Sequence, residues 1–309
     1  MFRPARISYN TEMSRSLHAL FCIALLAGTA LTQKTKHPAT ADDLALIERA
    51  ADHELIELEN PTPFQYQERL EWSWGTETRS VIETPEGRAD RIVLVNDEPL
   101  SPDHQAKQQH RLEKLLSDRD AVKSDLKEQK AETQHRIRMV KAFPKAFFFD
   151  FAGREKGLLR FDFRPDPEFS PKDRETQMYR GMEGTVWIEP EQERIVQIQG
   201  KLVKDVTFGW GIFGRLNKSG IYEIAQTQLS PGTWRITTLN VDVKGRTFLD
   251  TFRFLRKEAS SQFQPVSSAM TYQAAVKALL TASAAPDKER LSKPPALSKR
   301  NRVPDANRR

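Results

Sequence analysis

The sequence predicts an α+β protein: a curled antiparallel sheet of about ten strands, covered by an N-terminal helix and a long inserted helix. Two observations carry this. Short runs of alternating apolar and polar residues recur between turn residues over much of residues 64–256, and the two helical stretches stand apart from the strands instead of alternating with them. A sheet with that many strands curls rather than staying flat.

The chain has 309 residues, and its 38% hydrophobic content is low for a packed globule, so some segments are expected to be solvated. The first such region is N-terminal. Residues 17–31, "LHALFCIALLAGTAL", form an apolar run of 15 residues behind Arg15, closed by the small residues Gly28 to Ala30. That is the layout of a secretory signal peptide over residues 1–30, cleaved near Ala30, and it is short of the about 20 residues a spanning helix needs. The expected location is therefore outside the cytoplasm, periplasmic or extracellular. Cys22 is the one cysteine and lies inside this segment, so the mature chain has no disulfide and no thiol chemistry.

After a linker at 31–40, residues 41–58 carry Leu44, Ile47, Ala51, Leu55 and Leu58 at helical spacing, and Pro61 and Pro63 stop the helix. Strands are expected at 64–74, 76–84 and 88–95, turned by Gly75 and by "PEG" at 85–87. From 101 to 142 the period changes to helical. Ser101 caps, Pro102 takes the first position, and Leu112, Leu115, Leu116, Val122, Leu126, Ile137 and Val140 make a sparse apolar stripe that Pro144 ends. Whether "SDRD" at 117–120 divides this stretch stays open.

Strands return at 146–151, 158–164, 178–189, 193–203, 220–229, 232–243 and 246–256, with longer connections at 165–177 and 204–219. A C-terminal segment at 257–284 has some helical character. Residues 285–309 hold 8 Lys or Arg against 3 Asp or Glu, which makes the basic balance largely the property of a solvated tail. An anionic membrane surface is one expected contact for it.

The search for chemistry is mostly one of exclusion. Gly209 to Gly214, "GWGIFG", matches G-x-G-x-x-G, but too few residues follow it for the crossover helix of a dinucleotide site. It is expected to be a rim loop bearing Trp210, Ile212 and Phe213. His104, His110 and His135 have no ligand spacing, no nucleophile motif occurs, and Asp150 and Asp162 read as ordinary strand-face residues. No enzyme, cofactor, metal or nucleic-acid role is expected.

What remains is aromatic and apolar. Phe147, Phe149 and Phe151 alternate, Phe161 and Phe163 alternate, Phe248, Phe252 and Phe254 recur, and Trp72, Trp74, Trp187, Trp210 and Trp234 are spread over the strands. In "GTVWIEPEQERIVQIQGKLV", Gly184 to Val203, one face presents Val186, Ile188, Val196, Ile198 and Leu202, while Trp187 and Ile195 fall on the other.

This hairpin, with the order helix, meander, inserted helix and further strands over 41–256, resembles the lipoprotein-carrier family, the periplasmic proteins that sort outer-membrane lipoproteins. Glu189 stands where that family often has Asp. The resemblance implies an incomplete barrel that holds acyl chains beneath helices. Its implied lining is Val186, Ile188, Val196, Ile198 and Leu202 from the sheet and Leu112, Leu115 and Leu116 from the lid helix. The expected function is an exported, non-enzymatic carrier of lipid or an acylated protein. The alternative is an envelope interaction module with a filled core, suggested by the highly charged helix and basic tail, whose partner is another envelope protein.

Overall fold

The computed structural model describes residues 36–208, 214–247 and 249–282. The signal-peptide segment 1–30, the rim-loop residues Trp210, Ile212 and Phe213, Phe248 and the tail 285–309 lie outside them.

A two-residue strand β1 (His37–Pro38) leads into α1 (Ala41–Glu59). Thr40 starts the helix with a capping box: its hydroxyl accepts from the Asp43 N–H at 3.2 Å, and the Asp43 carboxylate accepts from the Thr40 N–H at 2.9 Å. The buried stripe is Leu46, Ile47, Ala50 and Ala51, and Leu44 faces solvent. The alanines let the helix lie close to its neighbours.

The meander follows as β2 (Phe64–Trp72), β3 (Gly75–Thr84) and β4 (Gly87–Val95), with a short β5 (Glu98–Pro99) after it. The expected single helix is two. In α2 (Pro102–Ser117) the Ser101 hydroxyl accepts from the His104 N–H, and α3 (Arg119–Ala146) starts at Asp118. Asp118 is extended, and its carboxylate accepts from the N–H groups of Asp120 and Ala121 at 2.9 and 3.1 Å. An Asp that caps a new helix breaks the old one. Pro144 does not end α3, which runs on to Ala146 because Phe143 and Ala146 bury in the core.

The remaining strands are β6 (Phe147–Glu155), β7 (Leu158–Pro165), β8 (Met182–Glu189), β9 (Arg194–Leu202), β10 (Val206–Phe208), β11 (Gly214–Leu216), β12 (Ile221–Ser230), β13 (Thr233–Arg246) and β14 (Thr251–Pro265). A 3-10 helix (Glu175–Gly181) takes residues 178–181 that were expected to open a strand, and α4 (Tyr272–Thr281) closes the described chain.

All pairings are antiparallel, in one sheet of 14 strands ordered β1-β6-β7-β8-β9-β12-β13-β14-β2-β3-β4-β5, with the β10–β11 ribbon joined through β11 to β13. The class is α+β, as expected, and the sheet is not closed into a barrel. Its two outermost strands, β1 and β5, are two residues long and pair with only two residues each of β6 and β4.

Two separate cores hold the helices. The first joins Leu46, Ile47 and Ala50 of α1 and Phe143 and Ala146 of α3 to Phe147, Phe149, Phe161, Phe163, Val186, Ile188, Ile195 and Leu202. The second packs Leu112 and Leu115 of α2 with Tyr272, Ala275, Val276 and Leu279 of α4 over Ile82 and Ala89. Alternation puts Ile82 on the face of β3 opposite Val81. Among the described residues no helix is long and apolar enough to cross a membrane.

Candidate functional site

The structure places the sequence-expected lining residues in three different environments. Val186, Ile188 and Leu202 are at most 2% exposed, sealed in the first core, and Ile198 packs half-buried against it. Val196 does not join them. β8 and β9 pair Trp187 with Gln197 but Ile188 with Ile195, so Val196 is the extra residue of a β-bulge. The bulge turns Ile195, expected on the other face, into the core at 4% exposure. Leu112 and Leu115 belong to the second core, under α4, and Leu116 is exposed. The helix stripe therefore covers the β3–β4 hairpin and not the β8–β9 hairpin.

The space beneath α1 is occupied by rings. Phe147 and Phe163 have centroids 4.7 Å apart, and Phe143 contacts Phe147, Phe149, Phe163 and Tyr179 at 5.4 to 6.3 Å. Burial raises the Tyr179 hydroxyl well above its ordinary pKa and pushes Tyr222 up to about 12. The Tyr179 hydroxyl donates to the Met139 carbonyl at 3.1 Å. Neither of the two cavities below is lined by Val186, Ile188, Val196 or Ile198.

The larger cavity, about 460 Å³, lies where this core reaches solvent. The 3-10 helix supplies Met178, the β10–β11 ribbon supplies Phe208 and Leu216, β13 supplies Val243, and β14 supplies Phe252 and Phe254. Met178, Phe208, Leu216 and Val243 are also core residues or packed on the core, so the cleft is its open continuation. Phe252 and Phe254 are 40% and 44% exposed. The polar groups stand at its edge. Arg174 lies over the Phe208 ring at 5.6 Å and has no carboxylate partner among the described residues. Arg215 pairs with Asp205 at 3.2 Å, and Glu175 is taken by Arg138 and His135 at 3.1 and 2.6 Å. Sequence reading marked Phe252 and Phe254 as recurrent aromatics. Arg174 and Met178 of one segment, Leu216 of a second and Val243 of a third carry no local signal.

The second cavity, about 350 Å³, is polar. Asp150 and Asp162 are cross-strand partners on β6 and β7, and Lys36 bridges them at 3.6 and 3.2 Å. Burial works against the charge of Asp162, but the Thr185 hydroxyl, Lys36 and Arg160 together hold its pKa below the usual range. The pair is thus an ion-paired strand face. His104 and His110 are exposed.

A third feature was not legible in the sequence. On the β2, β3, β4, β13 and β14 part of the sheet, charged groups are buried together. Glu68 is 3% exposed; one of its oxygens accepts from Arg88 at 3.3 Å, and the other has no partner among the described residues. Arg235 donates to Glu57 of α1 at 2.7 Å and to Glu83 at 3.1 Å, and Arg256 donates to Glu258 and faces Glu132 of α3 at 3.6 Å. Burial raises the pKa of Glu54, Glu83 and Glu258 despite the nearby cations.

Comparison of the chain with protein-family models, with curated proteins and with solved structures returns no match. The functional class therefore rests on the site alone: an aromatic cleft with Arg174, without a carboxylate partner among the described residues, at its edge.

Proposed function

We propose that the chain is an exported, non-enzymatic binder of an acyl chain carrying an anionic head group, working in the cell envelope. The cleft between the 3-10 helix and the start of β14 carries this reading. At about 460 Å³ it is within the range of about 300–1,000 Å³ of small-ligand sites, and its walls are mostly apolar with a polar edge. Hydrocarbon would lie on Met178, Phe208, Leu216, Val243, Phe252 and Phe254, and the head group would meet Arg174. Export rests on the segment from Leu17 to Leu31.

Magnitudes favour an amphiphile over a plain hydrocarbon. Ten buried methylenes offer about 8 kcal/mol gross, and association removes at least about 4 kcal/mol. A hydrogen bond from arginine to an anion restores about 1.5–3 kcal/mol. This site differs from the lining that the lipoprotein-carrier resemblance implies, because side chains fill that space.

The filled space favours a second reading, an envelope interaction module with no ligand. Native mass spectrometry of the full chain purified from an envelope fraction, followed by lipid extraction, separates the two. A stoichiometric acyl ligand that is lost in Phe254→Asp supports the binder. A clean apo mass, with no uptake of added fatty acid by the folded protein, moves the assignment to the module.

A further inference from the structure

We infer that the end of the β13–β14 hairpin is a docking surface for an anionic lipid bilayer. Thr251 to Leu255 pair with β13 but not with β2, because β2 ends at Trp72, the partner of Arg256. This leaves a ribbon with a free edge on the β2 side, at whose end the Thr247 N–H donates to the Asp250 carbonyl at 2.7 Å. Leu249, next to Asp250, is 89% exposed, the most exposed large apolar residue among those described. Phe252 and Phe254 follow it on β14. Trp74, 66% exposed and stacked on Trp72 at 6.2 Å, stands two residues beyond the Trp72–Arg256 pair, as Phe254 does on its own strand.

Most scattered surface apolar residues need no explanation, but these share one end of the sheet and have cations beside them. Lys244 and Arg246 on β13 are exposed and form no salt bridge among the described residues, although the charge of Lys244 also acts on Asp242. The Asn217 N–H donates to the Lys244 carbonyl at 2.8 Å, which brings the exposed Lys218 to the same place. Arg253 is neutralised by Asp242 at 2.6 Å. The exposed Asp250 is the one carboxylate next to Leu249 among the described residues, and its oxygen accepts from the Thr251 N–H at 2.7 Å. An apolar tip at which Lys218, Lys244 and Arg246 outnumber that acid suits the boundary between acyl chains and anionic head groups. A ribbon end is a poor fit to a protein partner, which needs about 800 Å² of contiguous contact. Phe252 and Phe254 both wall the cleft, so a docked tip turns the cleft mouth toward the lipid from which an acyl ligand would come. The docking itself does not depend on the cleft holding a ligand.

The test is co-sedimentation of the full chain with vesicles of phosphatidylcholine alone and of phosphatidylcholine with phosphatidylglycerol, at low and high salt. The wild type should bind the anionic vesicles and release at high salt. Leu249→Asp, at a position exposed enough to leave the fold unchanged, should weaken that binding by about tenfold or more. Lys244→Glu with Arg246→Glu should remove the preference for anionic over neutral vesicles. Leu249 does not line the cleft, so Leu249→Asp should retain the acyl ligand of the native mass measurement. Wild type that ignores anionic vesicles, or Leu249→Asp that binds them as well as wild type, overturns the docking surface and leaves the cleft reading untouched.

Discussion

Following one row of cross-strand partners divides the sheet into two regions of opposite character. The row runs Phe151, Phe161, Val186, Ile198, Ile224, Leu239, and there it changes to Glu258, Leu70 and Glu77. Register places all of these on one face. On the β6–β9 side the face is closed by rings and aliphatic side chains beneath α1 and the end of α3. On the β14–β2–β3–β4 side the same face carries Glu68, Arg88, Glu83 and Glu258, met by Arg235, Arg256 and the α3 side chains Gln129 and Glu132. The first region depends on shape, and its removal terms are transfer and cavity terms. The second depends on charge balance, where loss of one partner exposes another to a dry environment.

The largest effect is expected in the first region. Phe161 is 0% exposed and pairs with Phe151 and Val186 across the strands. Phe161→Ala should cost about 3–5 kcal/mol, and Phe161→Leu, which keeps most of the volume, about 1 kcal/mol. Urea unfolding with a common slope measures both. Equal costs for the two would mean that the rings are not packed as a unit.

Next in size is the charged region. Arg235 donates to Glu57 and Glu83, is 12% exposed in its side chain, and lies over Phe64 at 5.1 Å. Arg235→Ala should cost about 3 kcal/mol, because Glu57 and Glu83 stay behind without their cation. Arg235→Met combined with Glu83→Leu should lose less than Arg235→Ala alone, since the second change removes a stranded charge. A double variant as unstable as the sum of its singles would show that the two regions do not differ in kind.

The contrast also explains what was legible in the sequence. The first region announces itself, because alternating phenylalanines and the β8–β9 hairpin have the period of half-buried strands. Caps and prolines likewise mark α1 and the start of α2. The inward face of β8–β9 was misread at one point, Val196, because a bulge shifts register without a change in composition. The second half of β14, Lys257 to Pro265, has no apolar alternation and is a strand because β13 and β2 pair with it. The partner of Leu112 and Leu115 was hidden in a segment read only as vaguely helical, α4. The cleft was least visible. Its walls come from 174–178, 208, 214–216, 243–247 and 252–254, and only the topology brings them together.

The smallest effect sharpens the comparison by its sign. Burial raises Glu54, Glu83 and Glu258 above the ordinary carboxylate value of 4.5, with Arg194, Arg235 and Arg256 offsetting only part of it. A carboxylate whose folded pKa is raised binds its proton more readily when folded. Its stabilising contribution is complete below the unfolded pKa and is lost as pH rises through the folded value. Asp162 on β7 and Glu193 on the β8–β9 turn behave in reverse. Arg49 holds Glu193 low through a hydrogen bond, and the Thr185 hydroxyl and Lys36 hold Asp162 low against burial. Their contributions are present above the unfolded pKa and are lost as pH falls through the lowered folded values. Between pH 4.5 and neutrality, therefore, acidification should tighten β2, β3 and β14, and the contact of α1 with the start of β9 through Glu54, while leaving β7 and β8 unchanged; Asp162 and Glu193 loosen their surroundings only below that window. Amide hydrogen exchange, corrected for its intrinsic pH dependence, reads the two regions separately. Glu83→Gln should flatten the trend around β3, since glutamine has no proton to take up. A parallel response of both regions would mean that the buried carboxylates are held charged by their arginines, and that the sheet is electrostatically uniform.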